Sequence, residues 1–309
     1  MHSITSLAQV AGGFAPSAVT VGKFDGIHKG HQKLIQALKH AADEHALQSV
    51  VVTFDRHPDA LLNPDNCKLP LIGPKQKHEL IEATGIDLLL TLNFDEALAQ
   101  LSPEQFVQQI LVDGLKAKIV LVGEDFKFGH RGSGDVHTLH DLGQQLGFEV
   151  RVVSSADLDG VKISSSLIRQ TLDEGDVAKA SQMLGHIHTS VGIIEHGLKI
   201  GRTIGFPTAN MTRDCEGYLP LDGVYAGWLV VDGERFPAAH SVGINETFQA
   251  VPRLVESHVL DRDDLDLYDK IVTLEFIEFI RPAAKFNGVD DLVVAINKDL
   301  DKTRQILGV

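Results

Sequence analysis

A short apolar segment followed by two glycines and a His-x-Gly-His pattern, at residues 18–31, constrains the fold more than any other stretch. Residues 18–21 are an apolar run next to a glycine, which predicts a buried strand. Gly22 and Gly26 then allow a sharp turn, and apolar residues recur at helical spacing from His28 onward. The stretch therefore predicts a strand, a tight turn and a helix in direct succession.

His28 and His31 open the predicted helix, and their spacing places both rings on one face of its first turn. Free N–H groups and the positive end of the helix dipole favour anions there, so the pair is suited to a nucleotide phosphate. Metal binding is the alternative, but no third ligand stands at a suitable spacing nearby. The HKGH segment resembles the HxGH signature of the nucleotidylyltransferase superfamily.

Composition narrows the class of protein and its partners. With 309 residues, of which 43% are hydrophobic, the chain can form one large domain or two ordinary ones. The net charge of -14 argues against a broad surface for nucleic acid or for an anionic membrane. Cys67 and Cys215 are far apart in sequence, which favours reduced thiols, and no apolar run is long enough to span a membrane. We therefore expect a soluble cytoplasmic protein with no nucleic-acid or membrane partner.

The rest of the first half alternates between predicted strands and helices. Further strands are predicted at residues 49–54, 88–92, 119–122 and 148–153. This alternation predicts a doubly wound parallel sheet, in which ligands bind beyond the carboxyl ends of the strands. His57 follows one of these strands, and Asp125 and Phe128 lie in the glycine-rich loop after another. That loop has two equally good interpretations, a ligand-binding loop or an ordinary flexible one.

Three serines and an arginine form a second candidate phosphate site. Ser164, Ser165 and Ser166 open a predicted helix, and Arg169 follows one turn later on the same side. Hydroxyls, free amides and a guanidinium can together hold phosphate oxygens. In isolation, a helix cap with a surface arginine is the better interpretation. Combined with HKGH, the segment SSSLIR resembles the second half of the nucleotidylyltransferase signature.

The implied reaction is attack of a substrate phosphate on the α-phosphorus of ATP, which expels pyrophosphate. It requires positioning and charge neutralisation rather than a protein nucleophile. By the resemblance, His28 and His31 contact the α- and β-phosphate oxygens, and Arg169 with the serines holds the leaving pyrophosphate. Magnesium is expected to bridge the phosphates.

The pattern changes near residues 184–188, where β-rich runs replace the alternation of strands and helices. Strands are predicted at residues 189–194, 224–231, 239–244, 254–260 and 271–279, with a terminal helix at residues 289–307. Strands without intervening helices predict a compact antiparallel β-barrel. We therefore predict an α/β domain at residues 1–185 and a barrel domain at residues 186–309.

Thr208 and Asn210 are the candidate metal ligands of the second half. Two residues apart on an extended segment, they present a hydroxyl and a carboxamide oxygen on one side. Such oxygen ligands, supplemented by phosphates and water, suit Mg²⁺; the alternative is an ordinary proline turn between strands. Glu256 stands within an apolar strand, where it is either a paired structural charge or a general base with a pKa raised by burial.

These features together resemble the prokaryotic bifunctional riboflavin kinase/FMN adenylyltransferase family, the FAD synthetases. The matching segments are VGKFDGIHKGH, VTFDRHP, VGEDFKFG, ISSSLIR, GFPTANM, DGVYAGW, SVGINETF, VESHVLD and DLDLYDK. The resemblance implies that the barrel phosphorylates riboflavin with ATP, with Thr208 and Asn210 holding Mg²⁺ and Glu256 deprotonating the ribityl hydroxyl. The N-terminal domain then transfers AMP from ATP to FMN, giving FAD and pyrophosphate.

The same resemblance implies roles in binding ATP or the flavin for residues in glycine turns and loops. They are Gly22, Phe24, Asp25, Gly26, His57, Asp125, Phe128, Ser164, Ser165, Ser166, Gly201, Gly205 and Pro207. Arg56 stands where the family usually has the first proline of Pro-His-Pro, and Gln249 and Asp269 stand where it commonly has glycine. Glycine permits close approach of the backbone to phosphates, so these departures bear on ATP binding by the barrel.

Two rival interpretations stay open, and the first of them rests on these departures. One is an FMN adenylyltransferase with weak or lost kinase activity, and the other is a non-catalytic flavin-binding regulatory module. The expected partners are ATP, riboflavin, FMN and FAD, and self-association is left open.

Overall fold

The computed structural model describes residues 1–9, 13–196, 201, 205–243 and 253–309. The chain divides into two units. The sheet unit comprises Met1–Pro70 and Lys77–Ser164, and the barrel unit comprises Leu71–Gln76 and Ser165–Val309. The segment Leu71–Gln76 belongs to the barrel unit because Glu216 accepts hydrogen bonds from the backbone N–H groups of Lys75 and Gln76, each at 3.1 Å.

A parallel sheet of six strands forms the centre of the sheet unit. The strands are β1 (His2–Ile4), β2 (Ser17–Val21), β3 (Gln48–Phe54), β4 (Leu88–Leu92), β5 (Ala117–Gly123) and β6 (Glu149–Val153). They lie in the order β1-β4-β3-β2-β5-β6, and every pair is parallel. Strand β2 is buried along its whole length, which explains its uninterrupted apolar sequence. The predicted doubly wound sheet is confirmed; β1 adds a short, largely exposed edge strand with no apolar pattern.

Helices connect these strands and supply their apolar cover. The helices are α1 (Lys29–Glu44), α2 (Asp59–Leu62), α3 (Pro74–Glu82), α4 (Glu96–Ala99), α5 (Pro103–Phe106) and α6 (Val136–Leu146). Helix α1 buries the apolar stripe that its sequence predicts, including Leu34, Ile35 and Leu38. Helix α5 starts at Ser102 with a reciprocal capping box, and continues as a π-helix at Val107–Gly114.

The strand order reverses beside β2. From β2 the chain proceeds to β3 and β4 on one side, and only later crosses to β5 and β6 on the other. In open α/β sheets, ligands bind in the crevice outside the carboxyl ends of the strands at such a switch point. The carboxyl end of β2 leads into the His-x-Gly-His turn, and that of β5 leads into the glycine-rich loop.

The sheet unit ends with a small antiparallel pair of strands, β7 (Asp157–Leu158) and β8 (Val161–Lys162). The barrel unit begins with helices α7 (Ser165–Asp173) and α8 (Val177–Leu184). Its strands are β9 (His188–Glu195), β10 (Ala209–Met211), β11 (Gly223–Val231), β12 (Glu234–Gly243), β13 (Leu254–Val259) and β14 (Ile271–Pro282). They form a closed antiparallel barrel in the order β10-β13-β12-β11-β14-β9. The predicted barrel is confirmed. Asp232 and Gly233, with φ of 52° and 82°, form the tight turn between β11 and β12.

The terminal helix α9 (Val289–Leu307) packs on the outside of the barrel, with the bounds that the sequence predicts. Leu300 of this helix forms a small apolar cluster with Ala239 and Leu260. The guanidinium of Arg281, on β14, donates hydrogen bonds of 2.8–3.1 Å to the buried carboxylate of Asp299. Apolar packing and this ion pair together fix the helix against the strands.

Candidate active sites

The turn after β2 has an unusual backbone that brings the two histidines together. Phe24, Gly26 and Ile27 have φ of 49°, 86° and 42°, so the chain turns through the left-handed region before α1 begins. Phe24 and Ile27 are buried, and their packing holds this conformation in place. His28 is the N-cap of α1, and its Nδ1 accepts a hydrogen bond of 3.4 Å from the backbone N–H of His31.

The rings of His28 and His31 stack, with their centroids 3.7 Å apart and their planes at 17°. The ring of Phe24 meets His31 edge-on at 5.2 Å. A Cβ at Gly30 would lie 3.2 Å from two atoms of the His28 ring, so the glycine leaves room for the stacked pair. The geometry thus places both predicted histidines at the first turn of α1, beside its free N–H groups.

Both histidines are neutral at pH 7. Burial lowers the pKa of His28 to about 4. Burial also lowers the pKa of His31 well below its usual range, and the nearby His28 and Lys77 lower it further. The Nδ1 of His31 is buried and has no hydrogen-bond partner within the described residues. Buried polar atoms are normally paired, so this atom indicates a position for a ligand. No cluster of three or more metal-binding side chains occurs among the described residues.

Lys77 belongs to the same neighbourhood, although no motif in the sequence points to it. The side chain is half-buried on α3, and its Nζ donates a hydrogen bond of 3.1 Å to the carbonyl of Lys23 in the turn. Burial lowers the pKa of Lys77, while the charges of Asp25 and Asp55 act in the opposite direction. A lysine within a helical pattern carries no motif, and only the fold brings it to the histidines.

The other predicted residues of the sheet unit have varied positions. Phe128 is part of the glycine-rich loop, but its side chain lies in the apolar core. Its ring centroid is 6.0 Å from that of Phe106. Asp125 is exposed and pairs with Lys162. His57 accepts a hydrogen bond of 3.1 Å from the backbone N–H of Asp59 and thereby shapes the loop after β3.

The serine–arginine segment lies where the two units divide along the chain. Ser164 is the last residue of the sheet unit, whereas Ser165 and Ser166 begin α7 in the barrel unit. Arg169 is only 6% exposed, which excludes the interpretation of an ordinary surface arginine. A guanidinium at that depth requires anionic or hydrogen-bonding partners.

In the barrel unit, strand register brings the predicted base beside a predicted metal ligand. Asn210 on β10 lies directly opposite Glu256 on β13. Opposed residues of an antiparallel pair have Cβ atoms about 4.5–5.5 Å apart on the same face of the sheet. Asn210 also lies opposite Glu195 on β9, and Glu256 opposite Ser241 on β12. A row of polar side chains therefore crosses four neighbouring strands.

The segment that carries Thr208 and Asn210 is held against β13 through the preceding residue, Pro207. The ring nitrogen Nδ1 of His258 is 2.8 Å from the carbonyl oxygen of Pro207. Phe206 meets the His258 ring edge-on at 5.7 Å and packs against the apolar cluster under α9. The segment before β10 is therefore held against β13 by these contacts and is more than a simple turn.

Oxygen atoms in this segment fit a magnesium ion. The side-chain nitrogen of Asn210 donates to the carbonyl of Thr208 at 3.5 Å. Within the described residues, the hydroxyl of Thr208 and the amide oxygen of Asn210 have no protein partner. A hydroxyl and a carboxamide oxygen are the kind of hard oxygen ligand that suits Mg²⁺.

Glu256, the predicted general base, is partly buried on β13. Burial raises the pKa of its carboxyl group, and no hydrogen bond or ion pair to the carboxylate occurs in the described part of the chain. Gly201 adjoins this site, and a Cβ there would lie 2.3 Å from the carbonyl oxygen of Phe206. Residues 197–200 and 202–204, in the predicted kinase loop, lie outside the described residues.

Comparison with known proteins assigns each half of the chain to a family. The FAD synthetase family model matches residues 14–167, and the riboflavin kinase model matches residues 184–307. A bifunctional riboflavin kinase/FMN adenylyltransferase from Bacillus subtilis is 37% identical over 290 residues, which are 92% of this chain and 90% of that protein. The chain belongs to the bifunctional riboflavin kinase/FMN adenylyltransferase family. The boundary at residues 185 and 186 stays a prediction.

Two further members of the family agree along nearly the whole chain. The enzyme of Listeria monocytogenes is 36% identical over 288 residues, covering 93% of this chain and 91% of the relative. That of Escherichia coli K12 is 32% identical over 292 residues, covering 94% and 93%. The predicted family is therefore confirmed.

A solved structure shares the fold of this family member. A Streptococcus pneumoniae protein described as a macrolide-efflux protein matches at a TM-score of 0.87 and 32% identity, over 98% of each chain. The efflux description belongs to that protein and is not carried over, because both family models assign flavin enzymes. Within the described residues, no helix combines the length and hydrophobicity needed to cross a membrane.

One departure from the family pattern retains the backbone conformation that glycine favours. Asp269, at a position where the family commonly has glycine, has φ of 60°. Aspartate tolerates the left-handed region better than most residues. The backbone at residue 269 therefore adopts a left-handed conformation without glycine. Gln249, the second position where the family commonly has glycine, lies outside the described residues.

Proposed function

We propose that this chain converts riboflavin to FMN and FMN to FAD at two separate sites, one in each unit, with ATP as the donor in both steps. The observation that carries the proposal is that each unit contains its own polar centre. The sheet unit has the stacked pair His28 and His31, and the barrel unit has Asn210 opposite Glu256. Both family models and the relatives over more than nine-tenths of the chain support the same pair of reactions.

In the sheet unit, a phosphate oxygen of FMN attacks the α-phosphorus of ATP. A bond forms between them, the bond to the bridging oxygen of the β-phosphate breaks, and pyrophosphate leaves. FMN phosphate has a second pKa of about 6 and is largely ionised at pH 7, so this step needs no protein base. The N–H groups at the start of α1, with His28 and His31, hold phosphate oxygens through hydrogen bonds. The role in pyrophosphate binding that the resemblance gives to Arg169 and to the serines before it stays a prediction.

In the barrel unit, the nucleophile is the neutral ribityl hydroxyl of riboflavin. Glu256 accepts its proton as the oxygen bonds to the γ-phosphorus of ATP, and ADP leaves when the bond to the β–γ bridging oxygen breaks. A buried carboxylate with a raised pKa is a stronger base than an exposed one. Thr208 and Asn210 would hold Mg²⁺, which when bound neutralises charge on the phosphates.

The remaining predicted residues support binding of ATP or the flavin in this proposal. Gly22, Phe24, Asp25 and Gly26 form the turn beside the histidines, and Gly201, Gly205 and Pro207 flank the metal ligands. His57 and Asp125 lie in loops of the sheet unit, and Phe128 contributes by packing under one of them. A cytoplasmic location, suggested by two cysteines that form no disulfide, completes the proposal.

A second candidate, an FMN adenylyltransferase with weak kinase activity, rests on the missing glycines at Gln249 and Asp269. The positive φ of Asp269 weakens that argument, because the loop adopts the conformation without glycine.

One assay distinguishes these candidates. Purified protein is incubated with ATP, Mg²⁺ and either riboflavin or FMN, and the flavins are separated by chromatography. We expect FMN and then FAD from riboflavin, and FAD from FMN. FAD from FMN without FMN from riboflavin would select the weak-kinase candidate. Flavin binding without consumption of ATP would overturn both enzymatic candidates. The protein would then be a non-catalytic, flavin-binding regulatory module.

A further inference from the structure

The two histidines contribute no full positive charge to their surroundings. Both rings are neutral at pH 7 because burial lowers their pKa values. Asp25 and Asp55 lie near enough for their charges to act on Lys77, and they repel an incoming phosphate. The helix terminus adds only about half an elementary charge. ATP and FMN both carry negatively charged phosphates. Their binding at the same place therefore needs a further cation.

Lys77 has hydrogen-bonding capacity that the protein does not use. Its ammonium group has three N–H donors, and the carbonyl of Lys23 accepts one of them at 3.1 Å. No second hydrogen bond and no carboxylate within ion-pair distance occurs for Lys77 among the described residues. The ammonium group is thus held in place by the turn while two of its donors remain available.

The position of Lys77 is tied to the histidines through the same turn. Lys23, whose carbonyl it binds, precedes Phe24, and the ring of Phe24 contacts His31. The positive charge of Lys77 also acts directly on the imidazole of His31, whose buried Nδ1 has no partner in the described part of the chain. A cation with spare donors and an unpaired ring nitrogen therefore occupy one neighbourhood at the start of α1.

We propose that Lys77 is a further phosphate-binding residue of the adenylyl-transfer site, where its ammonium group contacts phosphate oxygens of the substrate held at the start of α1. This inference rests on the adenylyl transfer proposed above. As α1 and the histidines donate hydrogen bonds to the phosphates, Lys77 supplies the charge that they lack. The two spare N–H groups allow contact with phosphate without loss of the bond to Lys23.

The alternative is that Lys77 only supports the turn by binding the carbonyl of Lys23. The two roles differ in what the side chain must provide. Support of the carbonyl needs a single donor, which glutamine can provide, whereas phosphate binding needs the positive charge. Arginine keeps the charge, so Lys77→Gln and Lys77→Arg separate the roles. Lys118, an exposed lysine on β5 of the same unit, provides the matched control Lys118→Gln.

The test measures FAD formation from FMN over a range of ATP concentrations, with riboflavin phosphorylation measured in the same preparations. We expect Lys77→Gln to lower kcat/KM for ATP in FAD formation by about 10²–10³-fold, as for removal of one charge-stabilising donor. Lys77→Arg should recover most of that loss, and inhibition by inorganic pyrophosphate should weaken in Lys77→Gln. Riboflavin phosphorylation should stay at the wild-type rate in all variants, and Lys118→Gln should match wild type in both reactions.

Wild-type rates in Lys77→Gln, or equal losses in Lys77→Gln and Lys77→Arg, would overturn the role of the charge. If Lys77→Gln does not fold, Lys77→Met, which keeps the aliphatic stem, takes its place in the same comparison with Lys77→Arg. Failure of the proposed function is distinguishable, because wild-type protein would then form no FAD from FMN.

Discussion

The polar centres of the two units contain chemically different groups. The sheet unit offers a helix start and two stacked imidazoles that are neutral at pH 7. The barrel unit offers a carboxylate directly opposite a carboxamide on neighbouring strands. The difference follows the nucleophile in each proposed reaction. An ionised phosphate needs only positioning, whereas a neutral hydroxyl needs a base to remove its proton.

Burial produces both results by the same physical effect. Removing a group from water disfavours its charged form, whether that form is a cation or an anion. The pKa of His28 therefore falls to about 4, and that of Glu256 rises. The first shift keeps an imidazole neutral, and the second makes a carboxylate more basic. Removing either group and measuring both reactions tests whether each group serves only the reaction of its own unit.

The largest effect is expected for Glu256→Gln in the barrel. Loss of a general base should slow riboflavin phosphorylation by about 10²–10⁴-fold, while FAD formation from FMN keeps its wild-type rate. Steady-state assays of both reactions on one preparation provide the measurement. Glu278→Gln, an exposed carboxylate on β14, is the matched control and should change neither rate.

The pH profile of the kinase sharpens this prediction. A base acts only when ionised, so kcat/KM for riboflavin should fall as pH drops through the raised pKa of Glu256. The Glu256→Gln variant should lack this acid limb. Unchanged turnover in the variant, or an identical profile, would return Glu256 to a structural role.

A smaller but still large effect is expected for His31→Ala in the sheet unit. Removing one preorganised donor should slow FAD formation from FMN by about 10²–10³-fold and leave riboflavin phosphorylation intact. His40→Ala, on the exposed side of the same helix, is the control. Equal loss of both reactions in His31→Ala would contradict two separate sites.

The smallest effect is expected for Gln32→Leu, which tests the support of the histidine turn. The side-chain nitrogen of Gln32 donates a 2.8 Å hydrogen bond to the carbonyl of Ile27, a β-branched residue with φ of 42°. Losing a hydrogen bond of about 1 kcal/mol should lower kcat for FAD formation by roughly five- to tenfold. Gln36→Leu, exposed one turn later on α1, should be silent. A matching decrease in the kinase reaction of Gln32→Leu would point to general loss of stability instead.

Much of the fold was predictable because hydrophobic periodicity records which faces are buried. Strand β4 and helix α9 have the bounds that the sequence predicts. Strand β1 escaped prediction because its three residues are mostly exposed and owe their conformation to pairing with β4.

The site was predictable to the extent that its residues are close in sequence. The sequence alone determined the strand, turn and helix that carry His28 and His31, because local backbone preferences and periodicity suffice for these. The position of Asn210 opposite Glu256, and the hydrogen bond from Lys77 to the histidine turn, become visible only in the folded chain. Strand register and helix packing are set by the burial of apolar surface over whole units, and no short stretch of sequence contains that information.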